Sequence, residues 1–208
     1  MMNSYEKAYL KQLMISRTKD LGEIMCKTLE DLQGLSAHKI LERTGQEEAA
    51  PVDLDKIIDY LHIRIFPTTF DDIQQDGKKV SGLVLLNNNE VGIFYNKNDS
   101  IEMKRVVISH ELGHCCFHGD SLKNGYIECL SDDGTENEHE EIATIFALRL
   151  LIPERSLKNV IAKLLLPSVT ALSQIFQVPK NFMIKRMKDL NLAYYLDDED
   201  KLVKPRYE

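Results

Sequence analysis

The sequence lacks any C-x-x-C pair, since its four cysteines stand at positions 26, 115, 116 and 129. That spacing excludes the common dithiol metal and redox motifs, and Cys115 beside Cys116 reads as two small apolar packing groups. Long apolar runs are missing too: none approaches the roughly 18 residues that a membrane span requires. The opening Met1-Met2-Asn3-Ser4-Tyr5-Glu6-Lys7 has no apolar core of the kind a secretory signal carries. Nor is there an excess of basic charge. Lys and Arg number 26 against 33 Asp and Glu, a net charge of −7, which leaves no overall footprint for nucleic acid. These absences point to a protein of the reducing cytoplasm, with no membrane partner.

What remains is ordinary in bulk. A hydrophobic content of 43% and a charged content of 28% are those of a globular protein. The length allows one domain with an appendage, or two small domains, and is enough to bury a proper core.

The informative stretch is Val106-Val107-Ile108-Ser109-His110-Glu111-Leu112-Gly113-His114. It holds H-E-x-x-H within residues that read as a buried helix. Histidines four apart lie about 40° apart around a helix and one turn apart along it, so both rings can reach one ion. Glu111 projects roughly 60° from His114, near such an ion yet free to hold a water. Two ring ligands with an adjacent carboxylate base are the set for metal-assisted hydrolysis of a carbonyl, with zinc the expected ion. The plainer alternative is a pair of core histidines bonded to carbonyls.

Three residues compete as third ligand. Asp120 would require the helix to turn where a glycine is wanted, and position 117 is Phe instead. His118 lies one turn beyond His114, where a straight helix carries it past the ion. Glu140 opens a second apolar helix that runs through Ile145, Phe146, Leu148, Leu150 and Leu151 to Pro153, with Ala143 and Ala147 small enough for close approach. Glu140 is the choice.

His110-Glu111-Leu112-Gly113-His114, followed by Glu140-x-x-Ala143-x-x-Phe146-Ala147-x-x-Leu150-Leu151-x-Pro153, resembles the ImmA/IrrE family of zinc metallopeptidases. Arg105, five residues before the first histidine, and Pro51-Val52-Asp53-Leu54, which resembles the opening of the family domain, extend the likeness to roughly residues 51 to 192. Thr144 stands where the family usually has Asn, so a hydrogen bond that steadies a ligand histidine is altered. Ile152 for Met conserves volume. The resemblance implies an α+β, zincin-like fold with a small mixed or antiparallel sheet, an active-site helix and a helical C-terminal part. It also implies a regulatory endopeptidase that cleaves a helix-turn-helix transcriptional repressor and so releases genes of a mobile element or a stress response. The absence of a recognisable sensory domain after residue 192 favours the mobile-element type.

The rest of the chain is read around that core. Residues 4 to 48 follow helical spacing, from Tyr5, Tyr9, Leu10, Leu13 and Met14 through Leu21, Ile24, Met25 and Leu29, with breaks at Gly34 and Gly45. Residues 1–50 are thus an N-terminal helical extension, 47–51 its linker, 51–153 the metallopeptidase core, 154–192 a three-helix C-terminal part and 193–208 a tail. Within the core a helix over 54–61 precedes a strand at 63–66. The polar segment 71–79 reads as a mobile loop, and strands at 80–86 and 91–95 form a hairpin. An edge strand there would take an extended peptide by adding it to the sheet, through Gly82, Leu83 and Leu85. His139 and Tyr126 are candidates for stabilising an oxyanion. Residues 172–187 look like a helix-turn-helix, and 154–190 carry seven basic against two acidic groups, a balance of +5. Packing within the peptidase is the preferred role for them, and direct nucleic-acid binding is not expected. Two rivals stay open: a DNA-binding regulator with a structural metal, and a peptidase of broad specificity.

Overall fold

The computed structural model describes residues 28–70, 74–75, 78–79, 81–87, 90–123, 138–165, 167–192, 195–196 and 202–203. The expected helical run before Thr28, together with Cys26, Tyr126 and Cys129, lies outside them.

Two short helices come first, α1 (Leu29–Leu32) and α2 (Ala37–Thr44). Both expected breaks occur: Gly34 and Gly45 have φ of 76° and 65°, left-handed values that glycine adopts without strain. Ser36 caps α2 by accepting from the Lys39 N–H. Leu29, Leu32, Ile40 and Leu41 share one buried cluster with Ile108, Leu112 and Cys115, so the packing runs across the expected boundary at residue 50. The segment after Gly45 is tied down. The Gln46 amide spans the Asp53 backbone, its Nε2 donating to the carbonyl at 2.9 Å and its Oε1 accepting the N–H at 2.6 Å. Ser156 donates to the Ala49 carbonyl at 2.8 Å. Arg105, singled out by the family likeness, donates from Nη2 to the Val52 carbonyl at 2.8 Å, which makes it a strut rather than a member of the site.

Helix α3 (Leu54–Leu61), capped by Asp53, leads to strand β1 (Arg64–Thr68). The hairpin is formed by β2 (Gly82–Asn87) and β3 (Glu90–Asn96). Strand order is β1-β3-β2, parallel for β1 with β3 and antiparallel for β3 with β2, so the sheet is mixed and β2 is an edge. The polar segment expected to be a mobile loop instead pairs Gln74–Gln75 with Lys78–Lys79 as a short antiparallel ribbon. A similar pair, Tyr195–Leu196 with Leu202–Val203, occurs where a frayed tail was expected.

Helix α4 (Ile101–Phe117) packs on the sheet, and its residues 106–116 are buried on every side, so an apolar composition all round suits it. A short helix α5 (Gly119–Lys123) follows. Helix α6 (Glu138–Leu151) crosses α4 where a β-carbon on Gly113 would come within 3.0 Å of Ala143 Cα and 3.2 Å of Phe146 Cδ1. Gly113 and Ala143 together set how close the helices come. The C-terminal helices are α7 (Glu154–Lys163), α8 (Val169–Phe176, capped by Ser168) and α9 (Lys180–Asp189). Leu157, Leu172, Phe176, Met183 and Met187 form a second buried cluster with Val106, Leu151 and Ile152, so the helix-turn-helix-like unit turns its apolar face onto the peptidase helices. Fold class is therefore α+β, as expected. Among the described residues no helix is long and apolar enough to cross a membrane.

Candidate active site

Helix α4 places His110 and His114 on one face, and α6 brings the Glu140 carboxylate to them. His110 Nε2 and His114 Nε2 are 2.9 Å apart. Glu140 Oε2 lies 3.0 Å from the first and Oε1 lies 3.5 Å from the second. One ligand atom from each residue falls within 4.8 Å of the others, the single such group of three among the described residues. Bonds of about 2.0–2.1 Å to a tetrahedral zinc imply ligand–ligand edges of about 3.3 Å, so this triangle fits a metal with three protein ligands and one open position. Two buried imidazoles also turn the same nitrogen toward a carboxylate, a donor set that suits a borderline cation.

Burial acts to raise the Glu140 carboxyl, but hydrogen bonds and charge from His110 and His114 outweigh it and hold it at about 2. Glu140 is thus an anion at neutral pH, ready to ligate. Asp120 is exposed on α5, and His118, at the end of α4, turns its ring to the far side of His114; neither joins the triangle.

Glu111 is 1% exposed and sits beneath the edge strand. A β-carbon built on Gly82 would lie 2.3 Å from Val107 Cγ1 and 2.9 Å from Glu111 Oε1. Gly82 was read as a substrate contact; its position against the base carboxylate came from no local pattern. The backbone of β2 sorts the other two residues of that reading. The Asn96 N–H donates to the Ser81 carbonyl at 2.9 Å, and antiparallel alternation then directs the main-chain groups of residues 83 and 85 inward to β3 and those of 82, 84 and 86 outward. Leu83 and Leu85 are buried as well, Leu83 opposite Phe94, which stacks on Phe66 at 4.8 Å. Of the three, only Gly82 turns its main-chain groups away from β3; Val84 and Leu86, not singled out by sequence, share that orientation, and Gly82 and Val84 are buried.

Around the histidines, Thr144 Oγ1 is 3.4 Å from His110 Nδ1, so the residue standing for the family's Asn keeps a long version of that contact. His114 Nδ1 meets His118 Nδ1 at 2.9 Å. His139, considered for an oxyanion, instead stacks on His118 with centroids 4.1 Å apart. The four-residue step from His114 to His118 is the sequence signal for the contact between those two rings. Cys115 and Cys116 are buried, and burial pushes the Cys116 thiol up to about 12 and that of Cys115 well above its usual range. They are packing groups. A cavity of about 910 Å³ lined by Phe117, Ile142, Ile145 and Arg149 includes none of the four catalytic candidates and is separate from the triangle.

The peptidase family model M78, described as IrrE N-terminal-like domain, matches residues 58–188, a span that runs from the middle of α3 into α9 and includes every residue of the triangle. No curated protein matches the chain.

Proposed function

The chain belongs to peptidase family M78, the metallopeptidases of the ImmA/IrrE type, and on that premise we propose that it is a cytoplasmic zinc endopeptidase that cuts a helix-turn-helix transcriptional repressor. The observation that carries the reading is the triangle of His110, His114 and Glu140 beside a buried Glu111. Zinc, held by those three residues, would supply the Lewis acid that makes water a nucleophile at neutral pH. Glu111 takes a proton from the attacking water and returns it to the leaving amine. An extended substrate segment would add along the outer side of β2, toward which Gly82, Val84 and Leu86 direct their main-chain groups.

The choice of substrate rests on the resemblance and on one physical argument. Zinc chemistry acts on any peptide bond, so selectivity must come from what can reach the edge of β2. A folded helix cannot offer its backbone there; a repressor segment that becomes extended can. The test is co-expression of the full chain with a candidate helix-turn-helix repressor, and mass spectrometry of the fragments. One or a few cuts, absent with Glu111→Gln, support the proposal. Equal cutting of unfolded casein and the repressor at matched concentrations favours a broad peptidase. Metal-dependent shift of promoter DNA by the chain alone favours the regulator reading.

A further inference from the structure

His114 has its two ring nitrogens in different surroundings. Nε2 faces His110 and Glu140, at 2.9 and 3.5 Å. Nδ1, on the other side of the ring, lies 2.9 Å from Nδ1 of His118. A neutral imidazole has one donor and one acceptor nitrogen. If Nε2 gives its lone pair to a cation, the proton must be on Nδ1, and Nδ1 then donates. His118 Nδ1 is therefore the acceptor, and the His118 proton sits on Nε2.

The acceptor is held in place. His118 is the C-cap of α4, its backbone N–H donating to the His114 carbonyl at 2.8 Å. It is 6% exposed, and its ring is stacked nearly parallel on His139, at 21° between planes. Gly119 follows it at a point where any β-carbon would fall 2.1 Å from Gln33 Nε2, so α1 closes over this turn of chain. The matching contact on the other ligand histidine is much looser, Thr144 Oγ1 being 3.4 Å from His110 Nδ1.

We propose that His118 is a positioning residue for the metal site: it fixes the tautomer and the ring plane of His114 by accepting its Nδ1–H, a task that metal sites commonly give to a carboxylate or a carbonyl. The site is then steadied mainly through His114, and its zinc affinity depends more on His118 than on Thr144. This rests on the metal-site reading above. A histidine that served only to fill the core would affect folding and leave the affinity of folded protein alone.

The experiment uses full-length protein and zinc alone, by competition with a chromophoric chelator at fixed pH, on wild type, His118→Leu, His118→Asn and Thr144→Ala. Loss of an outer hydrogen-bond partner typically costs about 10–100-fold in metal affinity. That loss is expected for His118→Leu, with most of it restored in His118→Asn, whose amide oxygen can take the place of Nδ1, and with a smaller loss in Thr144→Ala. In parallel, ¹H–¹⁵N spectra of the imidazoles in zinc-loaded wild type should show His114 protonated at Nδ1 and His118 neutral with its proton on Nε2. Equal zinc affinity in wild type and His118→Leu overturns the proposal. So does a His118 protonated at Nδ1 in the wild-type spectra, a result that stands even if the leucine variant does not fold. Wild type that binds no zinc overturns the metal-site reading itself, a different outcome from zinc bound equally well with and without the His118 ring.

Discussion

Replacing Gly82 with Ala adds one methyl group at the point where the edge strand meets the catalytic helix. The new carbon would lie 2.3 Å from Val107 Cγ1, 2.9 Å from Glu111 Oε1 and 3.3 Å from Glu111 Cγ. Carbon atoms rest at about 3.5–4.0 Å, so the Val107 methyl must retreat by more than about 1 Å. Val107 is fully buried and, being β-branched on a helix, has one strongly preferred rotamer. Overpacking of this kind costs about 1–3 kcal/mol, and alanine recovers about 0.5–1 kcal/mol by its smaller loss of backbone freedom in a strand. A net loss of about 0–2.5 kcal/mol follows, which for a chain of this size lowers Tm by at most about 10 °C. Catalysis should suffer more than stability. The Glu111 carboxylate must shift by several tenths of an ångström, and a misplacement of 1 Å can cost about 10²-fold in rate. A fall of about tenfold or more in peptide cleavage is expected, with metal content equal to that of wild type, since no residue of the triangle is among the nearest atoms. Wild-type cleavage by Gly82→Ala, with Tm measured on the same preparation, would refute the claim that Gly82 sets the position of Glu111.

Glu111→Gln keeps the size of the side chain and removes the base; cleavage should drop by about 10²-fold or more while zinc, measured by atomic absorption, stays bound. His114→Ala should lose most of its zinc and Glu140→Ala much of it, whereas Asp120→Ala should retain it because that side chain faces solvent; zinc stripped by Asp120→Ala alone would assign the third ligand wrongly here. Cys115 and Cys116 should resist iodoacetamide at pH 8 in the native protein, because burial raises both thiols above that pH and keeps them neutral, and should react once urea unfolds the chain; peptide mapping separates them from Cys26 and Cys129.

The elements were legible wherever a local period or cap defined them. Leu54, Ile57, Ile58 and Leu61 gave α3, and two short apolar runs either side of the polar Asn87-Asn88-Asn89-Glu90 segment gave the hairpin. His110 and His114 could be paired from spacing alone because an α-helix fixes the angle between residues four apart. Glu140 needed a second helix, and it was found because Ala143 and Ala147 mark a close-packing face. Arg105 is a different case. Its partner, the Val52 carbonyl, is 53 residues away, and no local rule connects them.

What the sequence determined by itself was the chemistry: two imidazoles, a neighbouring carboxylate and an acidic helix start are covalent facts, and helical geometry is nearly independent of context. Tertiary structure alone decided how that chemistry is held. It set β2 at the edge of the three-stranded sheet, with the main-chain groups of Gly82 rather than of Leu83 or Leu85 turned away from β3, because strand order and register depend on which distant segments pair. It likewise put Leu29 and Ile40 in the core of the peptidase, and turned the His118 ring back onto His114 at the point where α4 ends. Such contacts arise when separate elements compete for the same volume, and a one-dimensional pattern carries no record of that competition.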